Sequence, residues 1–274
     1  MTTFRAHAQP TSRKSIRSSR YERGANEPER PARAWESPDS AHNSSWSWRD
    51  FAIRVVVGYA VISAVLIALG LLIVHPLARS GVVHWDESVV RWLADHRTAR
   101  LTSMSAFWSK SGDAPSIVAV GLVLAVVLSL RRLWHEVIVL ASILAVELGT
   151  FLTVSYTVGR TRPTVVHLGS VPSTGSFPSG HIAATIVVYG FVVVLLHRFT
   201  MPVLLQAIAA VWTIVAAISV GWARMYRGMH HPLDVMAGAA MGIALLAVFR
   251  AALVAASHGR NRFTRAGSLS EATS

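Results

Sequence analysis

Six apolar stretches, at about residues 51–75, 114–130, 136–158, 181–199, 202–222 and 233–256, dominate this chain. Each approaches the ~20 residues that a helix needs to cross the ~30 Å hydrocarbon core of a bilayer. No water reaches backbone N–H and C=O groups in that core, so a spanning segment of this length must satisfy them internally as a helix. The expected fold is all-α: a polytopic membrane protein built as a six-transmembrane-helix bundle. The stretch at 114–130 is the shortest. An even number of crossings returns both tails to one side. The arginine-rich amino-terminal tail, Arg131, Arg132, Arg198, Arg260, Arg262 and Arg265 fall there, which the positive-inside rule makes cytoplasmic. Arg79, Arg91, Arg97, Arg100 and Lys110 fall on the opposite side, against the rule, in company with Asp86, Glu87, Asp95 and Asp113.

Three segments follow: a basic cytoplasmic tail over 1–49, a six-span domain over 50–257 and a second basic tail over 258–274. The first tail is rich in Arg, Ser, Glu and Pro and nearly free of aliphatic residues, so it cannot bury enough surface to offset chain entropy and is expected to be disordered. The first apolar stretch starts too far along the chain, and is too long, for a cleaved signal, and is read as an uncleaved anchor. Much of the formal net charge of +12 lies in the tails. It suits anionic lipid headgroups, and no basic patch interleaved with aromatics points to nucleic acid. The chain has no cysteine, which excludes disulfides and thiolate chemistry. Between the first two spans, residues 82–112 recur apolar at Val82, Val83, Val89, Val90, Trp92 and Leu93. That pattern predicts an amphipathic helix on the outer surface, with Trp85, Trp92 and Trp108 in an interfacial belt.

On this topology three polar junctions emerge on one outer face. Arg160-Thr161-Arg162-Pro163 ends the third span, where proline stops the helix. Pro178-Ser179-Gly180-His181 opens the fourth. Arg224 to Asp234 joins the fifth to the sixth, with Pro232 at the first helical position, His230 just outside and Asp234 near the backward-reaching third position. From there Asp234 could hold the imidazole. Arginine forks and helix-start N–H groups make a cradle for a phosphoryl dianion, and Arg162, Arg224, Ser179 and Gly180 can supply it. Imidazoles can act as nucleophile and as proton donor to the leaving oxygen, and two are at hand. Each feature alone has a plainer reading. A boundary arginine is usually an anchor, Pro-Ser-Gly a helix start, and histidine and aspartate at this spacing a cap or half of a metal site. Their convergence on one face, in a chain with 15% charged residues, favours function.

Arg162-Pro163, then Pro178-Ser179-Gly180-His181, then Arg224 with His230 and Asp234, resemble the three ordered signatures of the type 2 phosphatidic acid phosphatase superfamily. The resemblance covers about residues 51–256. It implies that His230 attacks phosphorus, Asp234 orients it, and His181 protonates the leaving oxygen and then activates water. Arg162, Arg224, Ser179 and Gly180 would hold the phosphoryl oxygens. No metal and no cofactor is implied. The implied partners are a lipid phosphate substrate and membrane lipids. A polyprenyl pyrophosphate is slightly favoured over phosphatidic acid and phosphatidylglycerol phosphate, at an extracytoplasmic site in a bacterial plasma membrane. A lipid phosphotransferase and a non-catalytic lipid-binding relative are the alternatives, and oligomeric state is not readable. Two positions depart from the pattern. Ser155 stands where the family has a lysine, with Arg160 as the candidate replacement in phosphate binding, and Ala223 stands where serine is common.

Glu147, inside the third span, is expected as a buried glutamate hydrogen-bonded to another helix. His231 is expected to help start the last helix, and His167 lies in the outer loop. Tyr226 and Arg227 are expected to line the entrance.

Overall fold

The computed structural model describes residues 47–258, with side chains through Val254, and among these residues the secondary structure is helical with no strand. Eight helices run in order: α1 (Trp48–Val74), α2 (Gly81–Asp95), α3 (Ala99–Ser111), α4 (Ala114–Leu130), α5 (Trp134–Val158), α6 (Gly180–Arg198), α7 (Val203–Tyr226) and α8 (Pro232–His258). Residues 1–46 and 259–274, nearly all of both expected tails, lie outside the described residues.

Five helices, α1, α5, α6, α7 and the Pro232–Val254 part of α8, are long and apolar enough to cross a membrane. A sixth span exists when α3 and α4 are taken together across their 48° bend. The expected second crossing at 114–130 coincides with α4, whose 17 residues make only about 25 Å of helix. Alone it falls short of the ~30 Å hydrocarbon core. The break falls at Gly112 and Asp113, and Pro115 sits in the first turn of α4, where its missing N–H costs nothing. A Cβ on Gly112 would come within 2.8 Å of Val220 Cγ1, so the corner packs tightly on α7.

The single amphipathic helix expected over 82–112 is instead two. Residues 96–98 break it because Thr98 caps α3, its side chain accepting from Leu101 N at 3.3 Å. Nor does α2 merely cover the bundle, since its Asp86 is completely buried.

The main core joins α1, α5, α6 and α8 through residues such as Phe51, Ile143, Phe191, Leu245 and Phe249. Lipid is as apolar as these side chains, so helix association depends on close packing, which small residues permit. On α8, Gly238 and Gly242 face α6: a Cβ on Gly238 would lie 2.3 Å from Ser179 O, and one on Gly242 would lie 2.9 Å from Ile186 Cβ. Glycine therefore brings the α8 backbone against the start of α6. Outward, Leu122, Val126, Val211 and Ile218 are exposed, as a lipid-facing surface requires.

Candidate active site

All three polar junctions meet on one side of the bundle. Helix α5 ends at Val158 because Gly159 takes the left-handed conformation (φ 60°), and its N–H closes on Ser155 O. This turns the chain so that Arg160 and Arg162 leave in different directions. Ser179 N-caps α6 and its N–H donates to Asp234 O at 2.9 Å, tying the second junction to the third. Asp234 at the third position of α8 reaches back to His231 N at 2.8 Å, the capping contact expected from the sequence.

Arg162, Gly180, His181, Arg224 and His230 line one cavity of about 460 Å³. His181 and His230 stand with ring centroids 6.3 Å apart. Toward the bundle the cavity becomes an apolar groove walled by Ile117, Val118, Leu144, Leu148 and Phe151, and Val118 and Leu148 are themselves exposed at its lateral rim. A second cavity of about 420 Å³ shares His181 and Arg224 and is lined by Lys110, Asp113 and Arg227. The two histidines therefore stand between an oily opening and a polar one.

The nucleophile candidate, His230, is 2% exposed. Its Nδ1 lies 2.7 Å from Ser176 O. A carbonyl only accepts, so Nδ1 carries the proton and the Nε2 lone pair is left free. Burial, reinforced by the charge of Arg224, holds its pKa well below the ordinary imidazole range despite Asp234. The ring is neutral at neutral pH. Asp234 Oδ2 is 3.9 Å from Nδ1, beyond a hydrogen bond, so the direct hold expected of Asp234 is made by the Ser176 carbonyl instead. Asp234 bonds His231, with Nδ1 at 3.2 Å.

Arg160 does not join the cradle. Its Nη1 meets Asp234 Oδ1 and its Nη2 meets Asp86 Oδ2, both at 2.5 Å, and the side chain is 6% exposed. Burial opposes its charge, but the two carboxylates outweigh burial and raise its pKa. The physical reason for this departure is the left-handed turn at Gly159 after α5, which sends Arg160 inward between two carboxylates. Ser155, at the lysine position, is fully buried and donates to Gly175 O at 3.3 Å. Tyr226 is also buried, its OH accepting from Thr98 N at 3.0 Å, so it packs under α3 and does not line an entrance. Arg227 does line the polar opening and donates to Leu168 O.

Arg162 donates through Nη1 to Met229 O at 2.6 Å, and Arg224 through Nη1 to Ser109 Oγ at 3.0 Å. Arg162 Nε, Arg224 Nε and Ser179 Oγ are buried without a partner among the described residues. Arg162 and Arg224 line the same cavity, where an anion would satisfy both Nε donors.

Three carboxylates escaped the sequence reading. Asp86 accepts from Leu233 N at 2.8 Å as well as from Arg160. Glu87 accepts from Thr164 and Arg91 and lies 3.0 Å from His231 Nε2. Burial pushes its pKa up, but these hydrogen bonds together bring it down to about 2. Asp113, at the α3–α4 corner, lies 2.7 Å from His181 Nε2 and 3.9 Å from Arg224 Nη1. In sequence these acids look like the solvated face of an amphipathic helix and a helix cap; the one available signal was their presence on the side that the positive-inside rule leaves uncommitted.

The helices and this cluster define a multi-pass membrane protein with a paired-histidine, paired-arginine centre at one end of its bundle. Residues 135–257 match the family model of the PAP2 superfamily. The fold is similar to the crystal structure of a transmembrane PAP2-type phosphatidylglycerolphosphate phosphatase from Bacillus subtilis. The likeness has a TM-score of 0.56 at 20% identity, over 76% of this chain and 97% of the other. No curated protein sequence matches.

Proposed function

We propose that the protein is a membrane phosphatase acting on a lipid phosphate or diphosphate through a phosphohistidine. His230 Nε2 attacks phosphorus, a P–N bond forms as the P–O bond to the lipid breaks, and His181 gives its proton to the departing oxygen. Water, activated by His181, then attacks the phosphohistidine, returns neutral His230 and releases inorganic phosphate. Arg162, Arg224, Ser179 and the N-terminus of α6 at Gly180 hold the phosphoryl oxygens. The observation that carries this reading is the pair of unpartnered donors, Arg162 Nε and Arg224 Nε, lining one cavity with a buried neutral histidine whose Nε2 is free.

The apolar groove supports a substrate that keeps its tail in the bilayer and offers its phosphate sideways. Polyprenyl pyrophosphate, phosphatidic acid and phosphatidylglycerol phosphate all satisfy that geometry, and the last is the substrate named for the Bacillus subtilis relative. The reading includes metal independence, an extracytoplasmic site and the plasma membrane. Asp113 spans His181 and Arg224 where a phosphoryl oxygen would bridge them, so substrate binding displaces its carboxylate. The polar opening supplies water. It would equally admit an acceptor hydroxyl, which makes transfer the second reading, separated from hydrolysis by product analysis.

The test is phosphate release by the purified protein in detergent with EDTA, over those three lipids, beside His230→Ala. Metal-independent release that falls at least about 10³-fold in the variant is expected. Release that survives His230→Ala removes the assigned nucleophile, and release abolished by EDTA removes the metal-free mechanism.

A further inference from the structure

Glu147 was expected to bond another helix, but no group among the described residues hydrogen-bonds or ion-pairs with it. It is 6% exposed, and what remains open faces the groove that leads to His181 and His230. An unpaired carboxyl in hydrocarbon costs several kcal/mol, which is retained only where something relieves it.

The position of Glu147 says what that could be. Phe151, one turn further along the same face of α5, lies against Gly180: a Cβ there would come 3.0 Å from Phe151 Cδ2. Glu147 is therefore about 6 Å deeper in the membrane than the start of the phosphoryl cradle, the rise of four helical residues. A phosphate at Gly180 and His181 puts the first carbons of the lipid beside Glu147. The remaining walls there, Leu144, Leu148, Ile117 and Ala184, offer hydrocarbon alone.

We infer that Glu147 is a specificity-determining residue, reading a hydroxyl or ester group on the lipid carbons that adjoin the phosphate. It selects glycerol-based lipid phosphates over isoprenoid ones, whose first carbons bear no hydrogen-bonding group. This deepens the proposed phosphatase reading and rests on it.

The test compares wild type, Glu147→Leu and Glu147→Gln in detergent micelles. The substrates are lysophosphatidic acid, which carries an ester and a free hydroxyl, and a polyprenyl monophosphate of similar chain length. Glu147→Leu is expected to shift the ratio of the two KM values roughly tenfold toward the polyprenyl substrate, the scale of one lost hydrogen bond. Glu147→Gln, which keeps a donor and an acceptor, should restore most of that ratio. A ratio unchanged across the three proteins overturns the inference. Glu147→Met serves as the apolar variant if Glu147→Leu does not fold. Should wild type release phosphate from neither lipid, the phosphatase reading fails by itself, and the thermal shift each lipid gives the same proteins decides Glu147. A lysophosphatidic acid shift lost in Glu147→Leu and kept in Glu147→Gln supports the role; equal shifts in wild type and Glu147→Leu overturn it.

Discussion

Two arginines two residues apart have opposite tasks, and the difference is measurable. Arg160 pairs with both Asp86 and Asp234, which are fully buried, whereas Arg162 lines the cavity with its Nε unpaired. Removing one member of a buried ionic cluster strands the others, at a cost of about 3–5 kcal/mol. Arg160→Ala should therefore lower the melting temperature in detergent sharply. Arg162→Ala, which loses only hydrogen bonds to the Met229, Thr174 and Gly175 carbonyls, should lower melting less than Arg160→Ala and raise KM for a lipid phosphate. A stable Arg160→Ala protein with raised KM would return Arg160 to phosphate binding. Sequence spacing brought His181, Arg162, Arg224 and His230 together because each sits at a span boundary. It could not separate Arg160 from Arg162, because the deciding partner, Asp86, is 74 residues from Arg160 in the chain.

Among the helices, the α6–α8 pair sets the precision of the site. Ser179 N bonds Asp234 O, and Gly238 passes one turn further on with its Cα facing the Ser179 carbonyl. A methyl group there has no room, and overpacking of this kind typically costs about 1–3 kcal/mol. Gly238→Ala should lower the melting temperature and, by pushing the α6 N-terminus away from His230, raise KM as well. Unchanged values of both would mean that the helices slide apart freely. Periodicity found the helices but not their contacts. The apolar spacing of α2 was legible, yet Asp86 and Glu87 read as a wet face. They are bound to α8 and its cap, Asp86 reaching a backbone group 147 residues away, and no local pattern encodes such a pairing.

For the molecule as a whole, the membrane-crossing helices were legible from apolar length, while the 48° bend between α3 and α4 was not, since Gly112 and Asp113 read as an ordinary helix boundary. The absence of cysteine makes orientation easy to measure. Ser173→Cys, exposed in the loop between α5 and α6, should react with an impermeant maleimide in intact cells. Arg131→Cys, exposed between α4 and α5, should react only after permeabilisation. The reverse pattern would put the paired histidines inside the cell.

The two cavities that share His181 and Arg224 have a consequence for what becomes of the products under the proposed reaction. The dephosphorylated lipid keeps its tail in oil, and its path runs sideways along the groove. Inorganic phosphate is soluble only in water and leaves past Lys110 and Arg227. Each product drains into a phase the other cannot enter, so reversal would require two dilute species to arrive together from opposite directions, and turnover keeps its direction without a lid to enforce it.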